Sequence, residues 1–541
     1  MNMKMNISKK IGLALSSGIL LSAGWPSVGS ATPLLFFALV PLFLLERAVA
    51  IEKLDGTKTR LFPYVFLSLL TFNIISTWWV WNASPEGSIG AFVLNSLFLA
   101  IAFQLAHYTR IKLGNFRGDF ALIFFWIAWE YFHMDWDLSW TWLTLGNGLA
   151  NTPFIIQWYE YTGVFGGSLW ILTSNLFLVQ WLEKSKAYHS KIYHMPGLIF
   201  GIKWALLIIF PIMLSAIIWM NYEEKINPVS VVSVQPNIDP YTEKFGSLSS
   251  PEQVKRMFHL AEKKTTFHTE FVIFPETAIP NGFNEDLFEE TEEFQYLYSF
   301  CQKFPNTQVI IGASTFYVFG PNETISSTAR TAPNGVMYDA CNTAISFTKN
   351  EAPLFYHKSK LVPGVEKIPF PQLLRPIQDQ VFDLGGTVGS QGTQTERTVY
   401  TSKKGTKIAP IICYESVYGE YVGEFVNNGA ELIFIITNDG WWGDTPGYKQ
   451  HALYAQLLAI AHRRSIARSA NTGISCFINQ RGITSDATGW WVPDVISASI
   501  NANSELTFYT KYGDILGRVS LAFGILLLIM AVSRGIINKN K

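Results

Sequence analysis

The sequence predicts an α/β architecture interrupted by a membrane: a polytopic α-helical region of about eight spans, with a layered α/β domain inserted before the last. Three observations carry this expectation. Seven apolar stretches precede residue 222, and an eighth follows at 515–533. Between them, residues 229–509 alternate short β-branched runs with amphipathic helical stretches. Finally, Cys413 ends the apolar run Ile408-Ala409-Pro410-Ile411-Ile412. That puts a thiol at the carboxyl end of a buried strand, where α/β sheets expose their chemistry.

The first seven stretches run over about 11–31, 33–50, 62–82, 89–108, 119–133, 163–183 and 201–220. Most supply the ~20 residues that a spanning helix requires. Lysine and arginine set the orientation, because short cytoplasmic loops hold an excess of them. The amino terminus carries Lys4, Lys9 and Lys10, the second gap Arg47, Lys53, Lys58 and Arg60, and the fourth gap Arg110, Lys112 and Arg117. The sixth gap carries Lys184, Lys186 and Lys191, and Arg534, Lys539 and Lys541 follow the eighth stretch. The intervening gaps at 24–33, 82–90 and 134–162 have no Lys or Arg. Every basic loop then falls on one side, with both termini in the cytoplasm. The expected division is a seven-span region at 1–222, an extracytoplasmic domain at 223–509, and a last span with its tail at 510–541. Lys9-Lys10 before an apolar run has the form of a secretory signal, but Gly24-Trp25-Pro26 and the spans that follow directly favour a retained helix.

Composition agrees with lipid as the surrounding. Hydrophobic residues make up 49% of the chain against 15% charged, and the formal net charge is zero, which leaves no electrostatic case for nucleic acid. The four cysteines, Cys301, Cys341, Cys413 and Cys476, contain no C-x-x-C pair, so zinc is poorly supported. The topology puts all four where disulfides can form, and a Cys301 to Cys341 bridge has no spacing argument behind it. Within the inserted domain, strands are expected at 230–235, 271–275, 308–313, 343–348, 407–413, 432–437 and 474–479. Helices are expected at 251–268, 285–303 and 447–468.

A free thiol has a pKa near ~8.5, so a nucleophilic Cys413 needs a base or a nearby cation. Phe271-Val272-Ile273-Phe274-Pro275 delivers Glu276 at another strand end, and Lys358 lies in Tyr356-His357-Lys358-Ser359-Lys360-Leu361-Val362-Pro363. Taken singly, each has an ordinary explanation. A free cysteine is usually a small buried hydrophobe, Glu276 a solvated carboxylate, and Lys358 a surface cation with Lys360 as its close competitor. His451 and His462 share a helix face but lack a third ligand, so neither metal nor cofactor is expected. Glu130, inside the fifth stretch, is an intramembrane carboxylate and a candidate for function or helix pairing.

Five motifs bring these residues together. Pro275-Glu276-Thr277-Ala278-Ile279-Pro280, Tyr356-His357-Lys358 with Leu361-Val362-Pro363 and Glu366, Cys413-Tyr414-Glu415, Asn438-Asp439-Gly440-Trp441-Trp442-Gly443-Asp444 and Arg468-Ser469-Ala470-Asn471-Thr472-Gly473 follow in the order seen in the nitrilase superfamily. With the surrounding spans, the chain resembles the apolipoprotein N-acyltransferase family over essentially its whole length. Three places depart from that pattern. Phe245 follows Lys244 where the family often has Trp, Trp140-Thr141-Trp142-Leu143 stands where Phe-Pro-Trp is common, and Gly364-Val365 replaces Phe-Gly.

The resemblance implies an αββα layered domain, with Cys413 as nucleophile and Glu276 as general base. Lys358 and the Tyr414 N–H would stabilise the oxyanion. The family register, with a glutamate eight residues after the lysine, selects Lys358 over Lys360. Glu366, Glu415 and Asn342 are implied in support, and Phe245, Trp441 and Trp442 as surfaces for acyl chains. The implied reaction moves an acyl chain from a membrane phospholipid donor to the amino terminus of a diacylated apolipoprotein acceptor, in the bilayer of a bacterial inner membrane with the domain facing the periplasm. Two other classes remain: a membrane-tethered amidase using the same residues with water as acceptor, and a non-catalytic lipoprotein-binding scaffold.

Overall fold

The computed structural model describes residues 5–187, 195–370 and 390–538. Lys4, Lys191, Lys539 and Lys541, counted above for orientation, lie outside these residues. The chain forms two compact units. One comprises Met1–Trp78, Ser88–Asn221 and Tyr512–Lys541, and the other Trp79–Gly87 and Tyr222–Lys511.

The first unit is helical. Among the described residues, five segments are long and apolar enough to cross a membrane: Thr32–Leu54, Pro85–Leu113, Val164–Lys184, Leu198–Asn221 and Ile515–Ile537. The chain is therefore a multi-pass membrane protein. Leu206, Phe210, Met213 and Ile217 are exposed on the fourth of these, and a helix apolar around its circumference suits lipid rather than water. Shorter helices at Ile7–Gly24, Phe62–Thr77 and Asn115–Phe132 coincide with the remaining apolar stretches.

Buried charges knit this unit together. Arg110 pairs through Nε with Glu46 at 2.8 Å and through Nη2 with Asp119 at 2.9 Å, while Arg47 meets Asp119 at 2.5 Å and His107 Nδ1 meets Glu46 at 2.8 Å. Pairing of this kind is what makes intramembrane charge tolerable. Glu130 finds local partners: its Oε1 accepts from Trp126 Nε1 at 3.0 Å and from the backbone N–H of Leu145 at 2.8 Å.

The second unit has two stacked sheets. Its strands are β1 (Pro228–Gln235), β2 (Phe271–Ile273), β3 (Ile279–Asn284), β4 (Gln308–Val318), β5 (Arg330–Thr331), β6 (Met337–Thr348), β7 (Glu351–His357), β8 (Tyr400–Thr401), β9 (Lys407–Ile412), β10 (Leu432–Thr437), β11 (Ser465–Ala470), β12 (Cys476–Ile478), β13 (Thr484–Ser485) and β14 (Asp494–Asn501). One sheet runs β14-β1-β2-β4-β6-β5, with β3 on β4 and β7 on β6, and the other runs β13-β12-β11-β10-β9-β8. Strands β9, β10 and β11 are mutually parallel and almost wholly buried, which is why they read as continuous apolar runs without alternation. The sheets face each other: Phe271 packs edge-on against Phe434 at 5.1 Å, and Ser233 Oγ donates across to the Arg468 carbonyl at 2.8 Å.

Helices Ser250–Glu262 and Glu292–Lys303 cover the outer face of the first sheet, burying Val254, Met257, Phe258, Leu297 and Phe300 against Val232, Val272, Val309 and Ile345. Each such side chain contributes ~1.5–3 kcal/mol. Helices Gly419–Asn427 and Pro446–His462 cover the second sheet, completing the αββα layering.

Three expected helices are shorter than their sequence pattern suggested. The helix expected over 447–468 stops at His462, because Arg463 adopts the left-handed conformation with φ of 50°. Residues 465–468 are strand instead, since β11 completes the parallel row beside β10 and pairing there outweighs the helical look of Ile-Ala-Arg. The helix expected over 285–303 begins at Glu292, after a separate tight turn at Glu285–Glu290, and that expected over 251–268 ends at Glu262. All four cysteines are free, so Cys301 and Cys341 are separate buried thiols.

Candidate active site

The site lies at the carboxyl ends of β2, β7, β9 and β10. Beyond β2, Phe274 still donates its N–H to Ile310 O, and the chain then turns sharply through Glu276 and Thr277. Thr277 has φ of 46°, a strained conformation for a β-branched residue. Strand β4 passes so close beneath that a Cβ at Gly312 would lie 2.6 Å from the Glu276 Cα, so glycine is required there for contact rather than for flexibility.

Glu276 is buried and fully engaged. Its Oε1 accepts from Lys358 Nζ at 3.1 Å and from Asn342 Nδ2 at 2.8 Å, and its Oε2 accepts from the Asn438 N–H at 3.0 Å. Burial pushes its pKa up, but the charge of Lys358, the Asn342 amide and the charge of Lys244 outweigh that, holding the carboxyl below its ordinary range. Lys358 follows β7, with its N–H donated to Asn342 O at 2.8 Å, and its ammonium also meets Glu366 Oε1 at 2.6 Å. Burial works against its charge, but Glu276 and Glu366 prevail, and its pKa lies well above the usual value. Glu366 is itself held by the Val362 N–H at 2.8 Å. Lys360, by contrast, lies over the Tyr418 ring at 5.2 Å and the Tyr421 ring at 5.8 Å.

Cys413 opens a tight turn, Cys413–Val417, directly after β9, with φ of 51°. Such a strained backbone at a strand end projects a side chain away from the sheet, and its cost must be met by surrounding bonds. The bonds are present. Ser416 Oγ donates to the Cys413 carbonyl at 2.7 Å, and His451 Nε2 stands 3.2 Å from the same oxygen. His451 Nδ1 is 2.9 Å from Asp439 Oδ1, whose other oxygen accepts from Arg468 Nη2 at 2.5 Å. Burial raises the Asp439 pKa, but Arg468 and His451 overcome it, so Asp439 stays ionised. The thiol itself is pushed up, first by desolvation and then by the nearby charge of Glu276, with Lys358 opposing. At rest it holds its proton.

Glu415 ties two sides of the site together. Its Oε1 accepts from Tyr356 OH at 2.6 Å, Tyr421 OH at 2.7 Å and the Ser359 N–H at 2.7 Å, and its Oε2 accepts from the Ile412 N–H at 2.9 Å. One carboxylate thus joins the residue before Cys413 to the residue after Lys358. Tyr414 is buried beside Tyr418, its backbone forming the first step of the turn.

At the mouth, Phe245 is 60% exposed and lies parallel to Trp441 at 6.2 Å. Trp442 packs against Trp79 at 4.7 Å, and its carbonyl accepts from Asn82 Nδ2 at 2.8 Å. The segment Trp79–Gly87, which the sequence divided between the end of the third apolar stretch and the gap after it, therefore belongs to this unit. Sequence reasoning missed it, and it also missed the Asp439–His451–Arg468 group and Lys244. His451 and His462 are committed to different partners, His462 to Thr510 Oγ1 and the Gly419 carbonyl, so they do not converge on a common point.

A cysteine beside a carboxylate and an ammonium, on an αββα scaffold in a multi-pass chain, defines a membrane-inserted member of the carbon–nitrogen hydrolase class. The Carbon-nitrogen hydrolase family model matches residues 231–506, and the model for the Apolipoprotein N-acyltransferase N-terminal domain matches residues 17–177. The chain is 32% identical to the apolipoprotein N-acyltransferase of Chlorobaculum tepidum over 98% of both chains. It is 24% identical to the enzymes of that name from Geobacter metallireducens, over 96% of this chain and 95% of the relative, and Thermotoga maritima, over 97% and 94%. The chain belongs to the apolipoprotein N-acyltransferase family, within the nitrilase superfamily.

Proposed function

We propose that this protein is an apolipoprotein N-acyltransferase working by two-step, ping-pong transfer through Cys413. Glu276 takes the proton from Cys413 as its sulfur attacks an acyl ester of a membrane phospholipid. The tetrahedral oxyanion is met by the Lys358 ammonium and the Tyr414 N–H. As it collapses, the ester C–O bond breaks and Glu276 returns the proton to the departing lysophospholipid, leaving a thioester. The free α-amino group of the S-diacylglyceryl cysteine of an apolipoprotein then attacks that thioester. Glu276 takes the amine proton, and the sulfur leaves and is reprotonated. The product is a triacylated lipoprotein.

The observation that carries this reading is the meeting of Glu276 with Lys358 at 3.1 Å, together with their position as the charges acting most strongly on the Cys413 thiol. Because that thiol is protonated at rest, attack depends on a base that moves its proton in the same step, and the ionised Glu276 is such a base. In this reading Glu366 orients Lys358, Asn342 orients Glu276, and Glu415 braces the turn after the nucleophile. Phe245, Trp441 and Trp442 cover acyl chains. The protein is proposed to sit in the bacterial inner membrane with eight spans, both termini cytoplasmic and residues 223–509 in the periplasm. Lipid-anchored substrates give a reason for spans on both sides of the catalytic region.

The test supplies purified protein with a phospholipid carrying a labelled acyl chain and a synthetic S-diacylglyceryl peptide with a free amino terminus. Mass spectrometry should find the labelled chain in amide linkage on the peptide, and not with Cys413→Ala. Release of labelled free fatty acid with an unmodified peptide would favour hydrolysis and contradict the proposal.

A further inference from the structure

A second lysine lies in the site, outside the three residues just assigned. Lys244 is on the loop between β1 and helix Ser250–Glu262, beside the surface-exposed Phe245, yet it is 3% exposed. Its ammonium turns inward. Nζ donates to the Glu276 carbonyl at 3.1 Å and to Thr277 Oγ1 at 2.5 Å, and the Asn438 amide approaches it to 3.3 Å. Its own backbone is anchored by Asp239 O from one side and Gln253 Nε2 from the other.

These contacts are unusual for a buried cation. Among the described residues Lys244 forms no ion pair, and its ligands are neutral oxygens, whereas buried ammonium groups ordinarily have a carboxylate partner. The acidic groups on its own loop face elsewhere: Asp239 Oδ1 accepts from the Tyr241 N–H and Glu243 Oε2 from the Asp239 N–H. From the packed elements, the resting charge that reaches it is Glu276 beyond β2, and Cys413 beyond β9 joins it only when its sulfur is ionised. The Phe245 ring lies 5.8 Å away on its outer side.

We propose that Lys244 is a positioning residue of the acylation site: it clamps the strained Glu276–Thr277 turn and supplies the second positive charge that balances the thiolate and oxyanion as they form. The proposal rests on the reading of Glu276 and Cys413 given above. With Lys244 charged, the group Glu276, Glu366, Lys358 and Lys244 is neutral at rest. Counted together with the Cys413 sulfur it stays neutral when the proton moves from Cys413 Sγ to Glu276, because the negative charge lost on Glu276 appears on the sulfur. Without Lys244, the same buried step proceeds with one uncompensated negative charge. That charge raises the pKa of both Glu276 and the thiol, and it disfavours the oxyanion. Desolvation, only partly opposed by Glu276 and Cys413, brings the Lys244 pKa down to about 8, so the clamp loses its charge just above neutrality.

The experiment measures single-turnover acylation of the full chain by a labelled phospholipid between pH 5 and 10, for wild type, Lys244→Met and Lys244→Arg. Wild type should lose rate as pH rises through about 8. Lys244→Met should acylate ~10- to 100-fold more slowly with the half-saturating lipid concentration unchanged, its acid limb moved upward and the limb near pH 8 gone. Lys244→Arg, which stays charged throughout, should recover rate and extend activity to higher pH. A Lys244→Met enzyme with wild-type rate and profile would overturn the proposal, as would a slower enzyme whose pH limbs have not moved. If Lys244→Met fails to fold, the wild-type and Lys244→Arg profiles decide alone: identical alkaline limbs overturn the proposal. No Cys413-dependent adduct in wild type would instead overturn the underlying mechanism.

Discussion

Replacing Glu276 with Gln isolates the proposed base with almost no change in volume. The carboxylate accepts three bonds, from Lys358, Asn342 and the Asn438 N–H. A glutamine has one oxygen and one NH2 for the same three donors. If its oxygen faces Lys358 and Asn342, its NH2 opposes the Asn438 N–H at a site where the carboxylate bond is 3.0 Å. If it flips, NH2 opposes both Lys358 and Asn342. The first orientation is less costly and leaves two buried donors, the Asn438 N–H and the new NH2, facing each other without an acceptor, each worth about 1–3 kcal/mol of stability. Lys358 keeps Glu366 at 2.6 Å and stays charged, so the oxyanion side of the site survives. The catalytic loss is that of a positioned general base, ~10² to 10⁴ in the acylation rate. Single-turnover acylation followed by intact mass measures it, with thermal unfolding in the same detergent measuring the stability cost. An acylation rate within about threefold of wild type, against that ~10²-fold floor, would refute the assignment of Glu276 as base. The pH dependence has a definite sign. Glu276 is held below its ordinary range, so the base is ionised throughout the neutral region and is lost as pH falls through its depressed pKa. The same carboxylate contributes stability above its unfolded value of ~4.3, and that contribution disappears over the same acidic descent.

Three other tests probe the surroundings. Asp439→Asn leaves Arg468 buried opposite a neutral amide and should cost about 3–5 kcal/mol in denaturant unfolding, while the double variant Asp439→Asn with Arg468→Met should recover part of that loss; additive costs would argue against a coupled pair. Phe245→Ala removes an exposed ring lying against Trp441, and it should raise KM for phospholipid roughly 5- to 30-fold, for ~1–2 kcal/mol of lost apolar contact, with kcat little changed. For orientation, a cysteine placed at Lys303 should react with an impermeant maleimide on spheroplasts and one at Gly56 only after lysis, since the charge bias puts these positions on opposite sides; the reverse pattern would overturn the topology.

Which parts of this molecule were legible in the sequence follows from how each is stabilised. Strands β9 and β10 could be read directly, because a strand buried on both faces has no alternation to disguise it, and the residues at their ends, Cys413 and Asn438, come into the site with them. Strand β11 could not be read, because Ser465–Ala470 has modest strand propensity and is held there by its parallel partner β10. Lys244 was hidden by its neighbour: Phe245 stood out as a departure from a family pattern, while a lysine in a polar loop looked solvated. The signal available was the position of Lys244 on the loop leaving β1, a strand hydrogen-bonded to the β2 that carries Glu276. Asp439, His451 and Arg468 lie on three separate elements, and only the fold brings their charges together. In the membrane unit the same holds for Glu46, Arg110 and Asp119, which the orientation count treated as loop charges or passed over.

The central claim is that Cys413 carries the acyl chain. Purified protein incubated with a phospholipid bearing a labelled acyl chain, without acceptor, should gain one acyl mass on the intact chain. The adduct should be released by neutral hydroxylamine, as a thioester is, and map to the peptide containing Cys413. Adding the S-diacylglyceryl peptide should discharge it. An adduct that persists in Cys413→Ala, or no adduct on folded wild-type protein that nonetheless acylates the peptide, would contradict the thioester mechanism.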